Sequence, residues 1–146
     1  MVVLEEITVS EFPDYVRLGF GEDADLLNAY QQLDTDFETT VQRNVDNVMG
    51  LMEVDKLNLY KVVCNGIEVG FTVLNIEGGA LVSFGINIHY RTKEIVVGWW
   101  NLVYQFLDGN FISVLWSKNK RAIEFLQRQG MRIFDQENDL TILIQS

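Results

Sequence analysis

The spacing of apolar residues divides the chain into segments with strand and helix patterns. Short runs rich in β-branched residues predict strands at Val2–Val9, Leu57–Cys64, Ile67–Leu74, Leu81–Tyr90, Phe111–Trp116, Met131–Phe134 and Leu140–Gln145. Apolar residues at helical spacing predict helices after Ser10, over Glu22–Leu33, from a capping box at Thr35–Glu38 to Val54–Lys56, over Ile95–Leu107, and over Arg121–Gln129. The pattern predicts an α/β fold of the α+β type, a central mixed sheet flanked by helices, in one domain over residues 1–146.

Two connections set the expected order of the strands. Asn65–Gly66 is a strong hairpin signal, so the strands on either side of it are predicted to be antiparallel neighbours. The helix Ile95–Leu107 connects Leu81–Tyr90 to Phe111–Trp116. A strand–helix–strand unit normally has parallel strands and a right-handed connection, so we expect these two strands to lie parallel and side by side.

Two basic loops follow the predicted parallel strands. They read RTKE (Arg91–Glu94) and SKNK (Ser117–Lys120), and Arg121 follows the second. Both loops are expected at the carboxyl edge of the sheet, where open α/β sheets bind ligands. Their cationic side chains either bind an anion or are solvated charges in exposed loops, and the sequence leaves both interpretations open.

Composition excludes several classes of function. The net charge of −10 argues against nucleic acid and an anionic membrane surface as partners. Cys64 is the only cysteine and His89 the only histidine, so we expect no internal disulfide and no metal site. The apolar helix Ile95–Leu107 is too short to span a bilayer, and the first residues do not resemble a signal peptide. A cytoplasmic location is expected.

Few side chains suggest catalysis. His89 is the candidate general base because its pKa is ordinarily near neutrality, but a hydrogen-bonded structural histidine is the favoured interpretation. On the predicted strand it alternates with Ser83, Gly85 and Asn87, which form a polar face. Asn87 and Ser117 are candidate substrate contacts, and Ser117 also fits a helix N-cap. The three tryptophans are expected in the core or in a pocket wall.

Three segments together resemble a known family. They are NGIEVGF (Asn65–Phe71), INIHYRTKEIV (Ile86–Val96) and NKRAIEFLQRQGM (Asn119–Met131), in the order and spacing found in the GNAT superfamily of acyl-CoA-dependent N-acyltransferases. The resemblance implies acetyl-CoA as cofactor. It also implies a set of cofactor-binding residues, namely Ile86, Ile88, Arg91, Thr92, Lys93, Asn119, Lys120 and Ala122. His89 becomes the candidate catalytic base.

The chain departs from the family pattern at four positions. Glu94 and Val96 occupy places where the pyrophosphate loop usually has small residues, and Thr92 replaces a frequent glycine. A carboxylate repels a pyrophosphate, and a β-branched side chain obstructs close approach of the backbone. Leu126 occupies a position where many members have a tyrosine that protonates the leaving thiolate. Binding of acetyl-CoA is therefore expected to be weak or absent.

Two functions remain open at this stage. The first is an N-acyltransferase that acts on a small-molecule or protein amine, mainly by holding it close to the thioester. The second is a non-catalytic GNAT-like protein, similar to small bacteriophage proteins of this fold, with a decayed cofactor groove. Such a protein would act in interaction or assembly, as a homodimer or with a protein partner, in a virion or in the host cytoplasm.

Overall fold

The computed structural model describes residues 1–21 and 36–146, so the predicted helix Glu22–Leu33 lies outside the described residues. The strands of the described part are β1 (Val2–Glu6), β2 (Asn58–Cys64), β3 (Ile67–Asn75), β4 (Ala80–Ile86), β5 (Phe111–Trp116), β6 (Arg132–Glu137) and β7 (Leu140–Gln145). The α-helices are α1 (Phe12–Phe20), α2 (Phe37–Leu51), α3 (Lys93–Phe106) and α4 (Lys120–Arg128), and Ile88–Tyr90 forms a 3-10 turn.

The strands form one mixed sheet in the order β1-β2-β3-β4-β5-β7-β6. The first four strands are antiparallel neighbours, and the β2–β3 hairpin turns at Asn65 and Gly66, which have φ angles of 51° and 82°. β5 lies parallel to β4, and β7 pairs antiparallel with both β5 and β6. The predicted fold class and the predicted parallel crossover are both confirmed.

Each face of the sheet has its own hydrophobic core. α3 and α4 cover one face through a cluster that includes Trp99, Trp100 and Leu126. α1 and α2 cover β2–β4 on the other face, where Phe12, Phe71 and neighbouring residues are buried. Val41, Val45, Val48 and Met52 recur at helical spacing, which predicts a core-facing stripe, and the three valines are buried in this second cluster.

α3 is anchored by a buried polar contact as well as by apolar packing. The side chain of Trp99 is fully buried, and its Nε1 donates a 2.8 Å hydrogen bond to Oγ1 of Thr72 on β3. The apolar sequence of Ile95–Leu107 predicts a helix buried on most of its circumference, but Val97, Asn101 and Tyr104 form an exposed stripe along it. The helix therefore rests on the sheet by one face rather than by most of its circumference.

β4 ends four residues earlier than predicted. The backbone N–H of Asn87 still bonds to Val69 on β3, but the Asn87 side chain accepts a 3.0 Å hydrogen bond from the N–H of His89 and begins the 3-10 turn. Side chains of this kind compete with strand pairing for backbone groups. His89 consequently does not alternate with Ser83 and Gly85 on a strand, and that expectation was wrong.

Smaller corrections apply at other element ends. Ser10 does not cap α1, which begins after Glu11 without a side-chain cap, and β1 ends at Glu6. Asp36 is the N-cap of α2, because its carboxylate accepts a hydrogen bond from the Thr39 N–H at 2.8 Å. α2 ends at Leu51. The penultimate strand was expected over Met131–Phe134, and β6 starts one residue later and extends to Glu137.

A polar network attaches α1 to the β2–β3 hairpin. Lys61 pairs with Glu68 at 2.9 Å and with Glu5 at 3.7 Å, and the Tyr15 hydroxyl donates a hydrogen bond to Glu68. The hydrogen bonds from Tyr15 and Lys61 lower the pKa of Glu68 below its ordinary value of 4.5. The same contact raises the pKa of Lys61. The network therefore stabilises the fold with Glu68 ionised.

Replacement of Trp99 by alanine tests the placement of α3. We expect Trp99→Ala to lower the free energy of unfolding by about 3–5 kcal/mol, because it leaves a cavity and an unpaired Thr72 hydroxyl. Val97 lies on the exposed stripe of the same helix, so Val97→Ala should change stability by no more than about 0.5 kcal/mol. Urea denaturation measures the free energy of unfolding of both variants. Equal losses would contradict the assignment of the buried face.

Acid titration tests the Glu68 network. A carboxylate with a lowered pKa contributes stability above its ordinary pKa, and this contribution is lost as the pH falls through the lowered value. We expect Glu68→Gln to be less stable than the natural protein at neutral pH, and the difference to narrow below about pH 4.5. Glu77→Gln, which removes an exposed carboxylate from a turn, is the control. If the stability difference between Glu68→Gln and the natural protein does not change with pH, ionisation of Glu68 does not contribute to stability.

Candidate functional site

β4 and β5 are neighbours at one end and separate toward the other. Their ladder contains the single pair Ala80 and Ile112, where the Ile112 N–H donates to the Gly79 carbonyl at 3.0 Å. One residue further along, the buried Ser113 hydroxyl donates to the Leu81 carbonyl at 2.9 Å, in place of a backbone N–H. Beyond this point the strands no longer pair. A cleft opens between them, and it widens toward their carboxyl ends.

A β-bulge lies on β4 where the strands separate. Leu74 pairs with Leu81 and Val73 pairs with Ser83, so Val82 is an extra residue in β4. The bulge puts both Val82 and Ser83 on the side of α2: Val82 packs on the second core, and the Ser83 hydroxyl donates to Oδ1 of Asn44 at 2.8 Å. Bulges of this kind re-aim side chains next to functional sites.

The cleft has a volume of about 1460 Å³ and opens on both faces of the sheet. On one face it is lined by α3 and α4, including Val96, Ala122 and Phe125. On the other face it is lined by α1 and α2, including Phe20 and Asn44. Single small-molecule sites usually occupy about 300–1,000 Å³, so the cleft has room for two ligands that meet between the strands.

The first basic loop forms the N-terminus of α3. The Arg91 Nε donates a 2.7 Å hydrogen bond to the carbonyl of Ile86, at the end of β4 on the side that faces the cleft. The Thr92 hydroxyl caps the helix by accepting from the Ile95 N–H at 3.3 Å. Lys93 lines the cleft at the first turn. Free N–H groups, a helix dipole and two cations make this junction suitable for an anion.

The second basic loop forms the N-terminus of α4. Asn119 caps the helix, because its Oδ1 accepts from the Ala122 N–H at 3.4 Å. Ser117, the predicted cap, instead bonds through its hydroxyl to Thr141 at 2.8 Å. The Lys118 ammonium lies 5.4 Å from the centre of the Trp116 ring. Two helix N-termini therefore meet at one cleft, as the positions of the basic loops predicted.

The structure brings most of the predicted cofactor residues together. Six of them line the cleft, namely Ile86, Arg91, Thr92, Lys93, Asn119 and Ala122. Ile88 and Lys120 are not among the lining residues. His89 does not line the cleft either, and it is exposed on the 3-10 turn. This placement gives no support to His89 as the general base.

The positions that depart from the family pattern have different surroundings. Val96 lines the cleft, so its side chain occupies space beside the α3 terminus. Glu94 is exposed and is not among the lining residues. Leu126 is completely buried in the core beneath α4, whereas the neighbouring Phe125 lines the cleft. Val96 is therefore a more direct obstacle to a ligand than the charge of Glu94.

Sequence reasoning did not identify the α2 side of the cleft. Arg43, Asn44 and Asn47 line it from α2. Positions 43 and 47 are one helical turn apart, which is the spacing of any polar helix face. No local signal separates a cleft-lining polar face from an ordinary solvated one, since the distinction arises only when Asn44 meets Ser83 across the fold.

The described residues that line the cleft carry more positive than negative charge. Five of the chain's 11 lysines and arginines line it, whereas Asp46 and Asp55 are the acidic residues among the described lining residues. The lining cations are Arg43, Arg91, Lys93, Arg121 and Arg128. In a protein of net charge −10, this group of cations attracts anions locally.

Solved acetyltransferase structures have the same fold. The chain is similar to an acetyltransferase from Thermus thermophilus, with a TM-score of 0.68 and 19% identity over 99% of this chain and 96% of that chain. It is also similar to PaiA N-acetyltransferase from Thermoplasma acidophilum in complex with coenzyme A, with a TM-score of 0.61 and 9% identity over 99% of this chain and 98% of that chain. For the Campylobacter jejuni N-acetyltransferase PseH in complex with acetyl coenzyme A, the TM-score is 0.54 and the identity 12% over 99% of this chain and 97% of that chain.

These similarities establish the fold. The sheet order, the separation of β4 from β5 and the two helix N-termini make this the fold of the GNAT acyltransferases, as the sequence resemblance implied. No model of a known protein family matches the chain, and no curated protein matches it. In the described ranges, no helix has the length and apolarity needed to cross a membrane.

Close backbone packing holds α1 against β4 beside the cleft. A Cβ atom added to Gly19 would lie 2.6 Å from the carbonyl oxygen of Gly85 and 2.6 Å from the Phe71 ring. We expect Gly19→Ala to lower the free energy of unfolding by about 1–3 kcal/mol, because the helix must move away from the strand. Gly50→Ala, where the added Cβ meets open space in α2, should instead stabilise by up to about 1 kcal/mol. Thermal denaturation measures the stability of both variants. If Gly19→Ala is stabilised as well as Gly50→Ala, α1 does not pack as closely on β4 as described.

Proposed function

We propose that this protein is an acyl-CoA-dependent N-acyltransferase. The observation that carries the proposal is the separation of β4 and β5 over two helix N-termini, with cations at both. Alternation along a strand directs the backbone groups of Phe84 to the same side as those of Ile86, toward the cleft. An extended amide-containing chain such as pantetheine fits this unpaired strand edge, and phosphates fit the N-terminus of α3.

Particular residues would hold the cofactor. Arg91 and Lys93 would neutralise the pyrophosphate, and the N-terminal N–H groups of α3 would donate to it. Ala122 leaves space beside the second strand, and Arg121 and Arg128 supply further charge on α4. When bound, acyl-CoA supplies an activated thioester. The described residues therefore fit the cofactor in charge and in backbone geometry.

The chain would contribute mainly by positioning. The amine would enter from the face of α1 and α2 and meet the thioester at the bulge of β4, where the strands separate. Holding two reactants together in this way is a large source of rate acceleration. Asp46 and Asp55 are the carboxylates of the described lining residues that could accept a proton from the amine. Leu126 is buried and apolar, so the leaving thiolate would take its proton from another source.

The described cleft does not favour the alternative of a non-catalytic protein with a decayed groove. The groove is open, and six of the residues implied by the resemblance line it. The departures at Thr92 and Val96 bear on the strength of binding. Both residues crowd the N-terminus of α3, so we still expect acetyl-CoA to bind weakly.

Calorimetric titration with acetyl-CoA tests the proposal. We expect weak binding by the natural protein and a further loss of at least ten-fold in Ala122→Leu, because the larger side chain fills the cleft. Glu124→Leu introduces the same side chain on the exposed side of α4 and should bind as the natural protein does. Absence of binding at high protein concentration, or equal binding by both variants, would contradict the proposed cofactor site.

Two further variants identify the cause of weak binding. Val96→Ala removes a cleft-lining branch and keeps a good helix former, so we expect affinity to rise about ten-fold, which corresponds to about 1.4 kcal/mol. Glu94→Gln removes the charge of an exposed side chain and should change affinity by less than about three-fold, since solvent screens it. A larger gain from Glu94→Gln would show that charge, rather than bulk, limits binding.

A further inference from the structure

In the described part of the chain, the cluster under α1 and α2 reaches β2–β4, and the next strands, β5 and β7, carry apolar side chains on the same face. On this face β5 and β7 place three pairs of side chains directly opposite each other: Ile112 with Ile144, Val114 with Ile142, and Trp116 with Leu140. Ile112, Val114 and Leu140 are 41%, 43% and 48% exposed. We call these six residues the apolar face. Apolar side chains in a contiguous exposed group usually mark a binding surface.

The apolar face is continuous with the cleft. Ile112, Val114, Trp116 and Leu140 belong to it and also line the cleft between β4 and β5. The bulge residue Ser83 lies on the same side of the sheet, toward α2. A ligand resting on the apolar face would therefore reach the point where the strands separate, from the side opposite to α3 and α4.

Charged residues border the apolar face. On β6, Arg132 lies opposite Ile144, Asp135 opposite Ile142 and Glu137 opposite Leu140, so their side chains project on the same face of the sheet. The two carboxylates therefore lie at the Leu140 end of the apolar face and the guanidinium at the Ile144 end, and Arg43 and Asp46 line the cleft from α2. The cofactor side of the cleft is basic, whereas this side combines apolar contact with charges of both signs. An ammonium group attached to an apolar body can rest on the apolar residues and lie beside the carboxylates at the Leu140 end.

We propose that the acceptor is a primary amine carried on an apolar body, which lies on the apolar face and directs its nitrogen into the cleft. The inference rests on the proposed acyltransferase function and deepens it. Val114 and Leu140 would determine specificity, because they are the more exposed apolar residues that line both regions. The amine could belong to a small molecule or to a peptide N-terminus, since the same apolar and ammonium groups occur in both.

The experiment measures release of CoA from acetyl-CoA with matched amines. The small-molecule arm compares hexylamine and phenylethylamine with ethanolamine and glutamate. The peptide arm compares tripeptides that begin with leucine or phenylalanine with tripeptides that begin with serine or aspartate. We expect kcat/KM to be at least ten-fold higher for the apolar members of an arm, and the arm with the larger values identifies the source of the amine.

Matched variants connect the preference to the apolar face. Val114→Thr combined with Leu140→Thr replaces apolar groups by hydroxyls and should lower kcat/KM for the apolar amines about ten-fold, which removes their advantage over the polar amines. Val97 has the same 43% exposure as Val114 but lies on the outer surface of α3, so Val97→Thr is the control and should change nothing. Acetyl-CoA affinity should be the same in all variants.

The outcomes separate this inference from the proposed function. If acetyl-CoA binds but no apolar amine is acetylated, or polar amines are preferred, the acceptor inference is overturned and the cofactor site stands. A preference that survives the double variant also overturns it. If light scattering finds a dimer that the double variant dissociates, the apolar face is an interface between copies of the chain. If acetyl-CoA does not bind, the proposed function fails first.

Discussion

The separation of β4 and β5 is the constraint on which the rest of the molecule depends. Parallel strands that part leave backbone N–H and C=O groups without partners, and such groups are costly unless something satisfies them. In this protein, side chains satisfy two of these groups. The Ser113 hydroxyl donates a hydrogen bond to the carbonyl of Leu81, and the Arg91 guanidinium donates one to the carbonyl of Ile86. Between these two contacts the edge of β4 is open to a ligand. The cleft thus results from incomplete strand pairing, and a polar side chain satisfies the backbone of β4 at each end of the unpaired stretch.

An open groove through a sheet needs a rigid support, and the core under α3 supplies it. Phe84 of β4 lies 5.2 Å from Trp99 between ring centres, and Phe125 of α4 lies 5.8 Å from Trp99. Trp99 also bonds to Thr72, so one buried side chain connects β3, β4, α3 and α4. Aromatic pairs of this geometry add to the area that they bury. The two strands can therefore separate without loosening the helices whose N-termini face the cleft.

Local patterns predicted the sheet and the basic junctions because those features are encoded locally. Strand alternation, the Asn65–Gly66 turn and the apolar crossover helix each depend on near neighbours. The prediction failed where a side chain competes with the backbone: alternation continues through Ile88, but the Asn87 amide begins a turn instead. Local patterns also could not predict contacts between elements that are distant in the sequence. The contact between Ser83 and Asn44 exists only because an extra residue in β4 turns Ser83 toward α2.

The same sheet serves two different chemical environments, and its topology explains how. α3 and α4 follow parallel strands, so their positive N-termini collect at one edge and on one face, where an anionic cofactor is favoured. The antiparallel strands β7 and β6 return on the far side of β5 and leave the opposite face without a helix among the described elements. That face shows apolar residues of β5 and β7, and β6 borders it with Asp135 and Glu137 at one end and Arg132 at the other. Because the gap between β4 and β5 joins the two faces, an anion and an apolar amine can approach from opposite sides without competing for the same charges.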